Sequence, residues 1–179
     1  YRRWIGTDLE PALHAPGATV ASVNSSHGLQ WHTLTTRARD LSVVGAVRPA
    51  QWARAASTLA STRAGDLKVL MLHHNLLAGR LSRRWGLTSR AAGIDDAAAT
   101  GCQLVLCGHD HEARVDEVER NGRRFVVSQV NTVSDRSRGG RPASFHEVSW
   151  DADQLTVRRQ EWSAPAGDFV DAQSWSFAR

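Results

Sequence analysis

The sequence predicts an α/β fold, and three features carry that reading. Two compact apolar runs, "LKVLML" at 67–72 and "QLVLC" at 103–107, each have the pattern of a strand buried on both faces. Between them "IDDAAATGC" at 94–102 reads as a short helix stopped by Gly101, so strand, helix and strand follow in the order of a parallel βαβ crossover. Beyond His111 the texture changes: Asn121 and Gly122 separate two alternating runs, a strong hairpin signal, and the chain closes in antiparallel strands.

The elements follow in order. Residues 1–17 carry Pro11, Pro16 and two glycines without regular spacing and are expected to form an irregular lead-in segment. "GATVASVNSS" gives a β-compatible run that ends in the polar turn residues Asn24 to Ser26. In "RPAQWARAASTLAST", Trp52, Ala55, Ala56 and Leu59 recur at helical spacing, and Pro49 stands where a helix starts. "NLLAGRLSRRWGLTSRAAG", after the first buried strand, has several arginines and no clean period, and reads as a long surface excursion. "ARVDEVERNGRRFVVSQV" is the hairpin, and "FHEVSWDADQLTVRRQEW" repeats the scheme with a turn near Asp151 to Gln154. Residues 163–179 are expected as a surface tail covering something apolar.

A chain of 179 residues with 41% apolar content suits one domain, 1–179. Its 22 basic and 18 acidic residues leave +4, too mild and dispersed to argue for nucleic-acid binding. Cys102 and Cys107 flank a predicted strand and read as small buried residues, with no disulfide framework. No run approaches the roughly 20 apolar residues of a membrane span, and no export signal is visible after Tyr1. The expectation is a soluble, cytoplasmic protein.

The chemistry concentrates in histidines. In a βαβ unit both strands end at one edge of the sheet, where ligand sites form. "LKVLML" delivers His73 to that edge, and "LVLCGHDH" delivers His109 and His111. If the segment stays extended, residues i and i+2 face one side, so His109 and His111 reach into one cavity while Gly108 lets the backbone approach closely. Neutral imidazole is the commonest metal ligand, which makes His73, His109 and His111 the candidate metal ligands. Two metals about 3.5 to 4 Å apart would suit neighbouring histidines on one loop. His74 would point away from His73 in a continuing strand and is expected as a substrate contact or a packed ring. Asp110 is expected to face away from the metals.

"VLMLHHNL" and "LVLCGHDH" resemble the fourth and fifth signature blocks of the calcineurin-like metallophosphoesterases, a histidine at a strand end and a Gly-His-x-His loop. "NSSHGLQW" with "GAVRPAQWARA" is similar to the segment those enzymes place before the fourth block, most closely in the small phosphodiesterase-like bacterial members. The resemblance implies a layered α-β-β-α sandwich with mixed sheets. It also implies a two-metal centre of manganese, iron or zinc that hydrolyses a phosphoester, with His73 and His109 on one ion and His111 on the other. None of the family's first three blocks, Asp-x-His, Gly-Asp-x-x-Asp and Gly-Asn-His-Asp, is recognised in this sequence, and the substitutes "AGDLK" and "GIDDA" lack the required neighbours. The chain is therefore expected to be the C-terminal part of such an enzyme, its N-terminal half missing and a partner by implication, with little turnover alone and with its catalytic residues unassigned. The departure at Asn75 and Leu76 from the usual prolines alters the nearby substrate loop.

The rival readings are a non-catalytic metal- or partner-binding module and a mononuclear zinc hydrolase that uses the three histidines and one open position. Nucleic-acid binding ranks last. His27, His32 and His146 have no partner spacing and read as surface or structural residues. Arg80, Arg83, Arg84 and Arg90 read as a solvated basic loop that could meet a phosphate. The tryptophans read as core and cap residues.

Overall fold

The computed structural model describes residues 6–26, 44–80, 86–88, 90–134 and 140–179. His27, His32, Arg83, Arg84, the side chain of Arg90 and most of "NSSHGLQW" lie outside the described residues. The chain forms a mixed α/β structure of two sheets and two helices. The six-stranded sheet takes β1 (Ala12–Ala15), β2 (Ala18–Val23), β3 (Leu67–His74), β4 (Leu104–Gly108), β5 (Arg114–Arg120) and β6 (Arg123–Gln129), in the order β1-β2-β3-β4-β6-β5. Its central strands β2, β3, β4 and β6 are parallel, and β1 and β5 close the two edges antiparallel. A second, antiparallel sheet takes β7 (Ser144–Trp150), β8 (Gln154–Ser163) and β9 (Asp168–Ala178).

Helix α1 (Pro49–Ala60) forms where the spacing predicts it. Pro49 opens it and the Gln51 side chain accepts the Arg48 backbone N–H at 2.8 Å, while Trp52, Ala55 and Leu59 turn inward. Helix α2 (Arg90–Ala99) begins four residues earlier than "IDDAAATGC" suggests, with Gly93 inside it. A Cβ at Gly93 would stand 3.0 Å from Leu87 Cδ1, so close packing outweighs the poor helix propensity of glycine there. Both helices cover one face of the large sheet, where Trp52, Leu59, Ala97 and Ala98 meet Leu70, Leu72, Val105 and Val127. Each large side chain fully buried this way contributes roughly 1.5–3 kcal/mol. The small sheet covers the other face, with Leu155, Val157, Trp175 and Phe177 against Leu67, Val69, Leu104 and Val126.

Three expectations need correction. The lead-in segment is not irregular throughout: residues 12–15 are β1, and Glu10 binds the Asn24 backbone N–H at 2.9 Å together with Gln51 and Arg54. Burial opposes ionisation of Glu10, but hydrogen bonds from Gln51, Asn24 and Arg54 outweigh it and hold its carboxyl below the ordinary range. Residues 163–179 are not a tail, since 168–178 form β9, held along its length by β8. The layers are helices, large sheet and small sheet; among the described residues no helix lies over the outer face of the small sheet, so the fourth layer of an α-β-β-α sandwich is absent there. No described helix is long and apolar enough to cross a membrane.

The small sheet covers only the lower part of its face. Leu67 and Val69 are buried beneath it, whereas Met71 on the same side of β3 is 42% exposed and His73 is exposed. The expectation that "LKVLML" is buried on both faces therefore holds only to Leu70. Beyond it the face opens into a groove of about 460 Å³ lined by Leu9, Pro11, Met71, His73, Leu106 and Val130.

Candidate metal centre

β3 and β4 run parallel with a helix between them, so their carboxyl ends meet at one edge and His73, His74 and His109 arrive there together. The pairing runs in register from Val69↔Leu104 to Met71↔Leu106, then jumps to His74↔Gly108. Three steps along β3 thus match two along β4, a bulge at the strand end, yet burial along β3 still alternates: Met71 and His73 are exposed while Leu72 and His74 are buried. His74 is therefore a packed ring on the other side of β3 from His73, and at the strand end its centroid still stands 4.9 Å from that of His73 and 4.4 Å from that of His109.

One nitrogen from each of His73, His74 and His109 falls within 4.8 Å of the others. His109 Nδ1 and His73 Nε2 are 3.2 Å apart. Two nitrogens on one zinc, each roughly 2.0–2.1 Å from it at a tetrahedral angle, would be about 3.3 Å apart, so this pair already has ligand spacing. Partial burial of the ring lowers the His73 pKa from the ordinary imidazole value, and the charge of His111 adds to the fall, a direction that favours the neutral form that binds metal. His74 is 5% exposed and braced by two neighbours. Ser25 Oγ lies 2.9 Å from its Nδ1, and a Cβ at Gly45 would stand only 2.3 Å from its Cγ and Nδ1, so Gly45 is a wall against the ring.

The "GHDH" loop is not extended. β4 ends at Gly108, the Asp110 N–H donates to the Gly108 carbonyl at 3.0 Å, and His109 between them has φ 75°, the mark of a strained γ-turn. His111 also has a positive φ, 51°. The i, i+2 argument for a shared direction therefore fails. His109 joins the cluster, and His111 stands outside the group of three although its charge is felt at His73. Asp110 is buried, 2% exposed, and accepts a hydrogen bond from Asn75 Nδ2 at 3.1 Å. Among the described residues the histidine group includes no carboxylate.

Other candidates sit elsewhere. Arg80 pairs with Asp116 at 3.2 Å. His146 is a structural residue: Ser128 Oγ lies 2.7 Å from its Nδ1, and burial, reinforced by the charge of Arg159, pushes its pKa down to about 4. Cys102 and Cys107 are buried free thiols, and burial raises them to about 11 and about 12. Trp52 is a core residue, whereas Trp150 and Trp162 are 38% and 43% exposed. Residues 167–171 spell Gly-Asp-x-x-Asp, but they begin β9, where Asp171 accepts from Gln160, apart from the histidines. Sequence reasoning missed Ser25 and Gly45. Only the closeness of "NSS" to the end of a strand hinted at the first.

No family profile matches this chain, and no curated protein does. Among solved structures it is similar to vacuolar protein sorting 29 from Cryptosporidium parvum, with 19% identity over 66% of this chain and 55% of that one and a TM-score of 0.40. It is similar also to a double mutant of Vps29 from Entamoeba histolytica, at 17% identity, 56% and 53% coverage and TM-score 0.38. A third is wild-type Vps29 from Entamoeba histolytica in complex with Zn²⁺, at 16%, 65% and 58%, with TM-score 0.36. The chain thus spans 53–58% of the length of these structures, and all three are distant likenesses in fold.

Proposed function

We propose that this chain is a metal-binding module that holds one divalent ion, zinc in preference, through His73, His74 and His109. The observation that carries the reading is the grouping of three imidazole nitrogens within 4.8 Å at a strand edge with no carboxylate among them. Neutral nitrogen donors suit zinc better than the harder ions that carboxylates attract. When bound, such an ion supplies Lewis-acid polarisation to an oxygen ligand in an open position. The protein's own part is to bring three imidazole nitrogens together, to keep one side of the site open beside the exposed His73, and to leave the charge of the dication uncompensated. That last feature favours an anionic fourth ligand such as a phosphoester oxygen.

A second reading is hydrolysis of a phosphoester at a two-ion centre, in which His111 serves the second ion. Its support is the "GHDH" resemblance and the charge interaction of His111 with His73, and it requires carboxylate ligands that the histidine group lacks. Zinc titration with elemental mass spectrometry separates the two. One ion per chain, lost on His73→Ala or His109→Ala, with background hydrolysis of bis(p-nitrophenyl) phosphate, is the expected result. Two tightly held ions with turnover would establish the second reading instead.

A further inference from the structure

We propose that Ser25 is a positioning residue that sets the tautomer and aim of His74, and thereby makes His74 the third ligand of the metal ion. This rests on the metal-binding reading above. Ser25 is 1% exposed, and its Oγ meets His74 twice: it accepts the His74 backbone N–H at 3.2 Å and lies 2.9 Å from Nδ1. A hydroxyl oxygen that has accepted one N–H retains a second lone pair and one proton. Two arrangements fit these distances. Either the hydroxyl donates to a bare Nδ1, or a protonated Nδ1 donates to the hydroxyl.

A bound dication selects the second arrangement, because the ligating nitrogen must be unprotonated and the proton must then sit on Nδ1. On the side of the serine, ligation through Nε2 thus asks for a turn of the Ser25 hydroxyl and a change of ring tautomer. Gly45 packs against the same Cγ–Nδ1 edge of the ring, so that edge of His74 is held by a hydrogen bond and a backbone wall together. The Ser25 carbonyl accepts the Ala46 N–H at 3.1 Å, which ties the serine to the segment that carries this wall. A hydrogen-bond partner on the far nitrogen of a metal-bound histidine commonly changes metal affinity 10- to 100-fold.

The test compares the parent chain with Ser25→Ala, Ser25→Thr, His74→Ala and the Ser25→Ala/His74→Ala double variant. Zinc affinity is read by calorimetry, coordination by the visible spectrum of the cobalt form, and the tautomer by nitrogen-15 shifts of the His74 ring. Expected are a zinc affinity lowered about 10- to 100-fold in Ser25→Ala, recovered to within about 3-fold in Ser25→Thr, and no lower in the double variant than in His74→Ala. The zinc-bound parent should show Nδ1 protonated. Unchanged affinity in His74→Ala would overturn the role of His74 as ligand. The same loss from Ser25→Ala with and without His74 would overturn the positioning role, since the serine would then act through the fold at large. No zinc uptake by the parent would overturn the underlying metal reading and this proposal with it, an outcome distinct from uptake that ignores His74.

Discussion

Gly45→Ala tests the wall beside His74 without replacing any ligand. The added methyl would stand 2.3 Å from His74 Cγ and Nδ1 and 2.9 Å from its Cβ. Unbonded carbons rest about 3.5–4.0 Å apart, so more than about 1 Å must be conceded. The ring cannot yield without losing its 2.9 Å contact to Ser25. The backbone cannot yield without stretching the bonds from Gly45 N–H to the Gly86 carbonyl at 2.7 Å and from Thr88 N–H to the Gly45 carbonyl at 3.0 Å.

Overpacking of this kind costs about 1–3 kcal/mol, and a lost hydrogen bond adds about 1. In a chain of this size the sum lowers the melting temperature by on the order of 5 to 15 °C. Circular-dichroism melts of the metal-free protein measure that drop, with Gly6→Ala as a control because a Cβ there meets nothing within 4 Å. Zinc calorimetry on the same samples should give an affinity about tenfold lower or weaker still. If Gly45→Ala melts within about 1 °C of the parent and binds zinc equally well, His74 is not held against this wall and the site is wrongly built.

Two further predictions concern the frame. His146 has a folded pKa of about 4 against an ordinary value of 6.5, so the unfolded state takes up more protons between those values, and stability falls as pH drops from 6.5 towards 4. The full loss is about 3 kcal/mol, to be read from urea unfolding at pH 7.5 and pH 4.5; a slope that His146→Phe leaves unchanged would assign the pH dependence elsewhere. Leu70 is fully buried while its neighbour Met71 is 42% exposed, so Leu70→Ala should cost about 2–5 kcal/mol and Met71→Ala under about 1. Equal losses in chemical denaturation would mean that the open face is covered in solution.

The crossover and the hairpin were legible because their signals are local. Apolar runs of strand length, a helical period between them, and Asn121–Gly122, both with positive φ, need only neighbouring residues. β9 was missed, because the polar residues around Trp175 and Phe177 mask their alternation. The lead-in segment was not legible, because it is held by Glu10 reaching across to Asn24, Gln51 and Arg54. The nearness of His74 to His109 was not legible for a sharper reason. It depends on where the ends of β3 and β4 meet, and the one-residue bulge after Met71 is set by that pairing, which no local pattern encodes.

The loop that carries His109 bears on how the site is assembled. Left-handed conformations of ordinary residues cost roughly 1–2 kcal/mol each, and this loop holds two, at His109 and His111, within three positions. On the protein side, the buried Asp110 carboxylate between them accepts the Asn75 amide and so anchors the loop from within. On the open side, the interaction of His109 Nδ1 with His73 Nε2 is a neutral hydrogen bond worth about 1 kcal/mol, less than the strain it opposes. A metal at a hundred times its dissociation constant adds about 2.7 kcal/mol, which is comparable with that strain. The γ-turn bond from Asp110 N–H to the Gly108 carbonyl should therefore open readily in the metal-free chain and close with zinc. Hydrogen exchange at the Asp110 amide reads this directly: about a tenfold or greater slowing on zinc addition is expected, beyond any slowing at Val126 in the sheet core. Equal protection with and without zinc would mean that Asp110 and its neighbours alone impose the turn, and that the site is fully formed before any ion arrives.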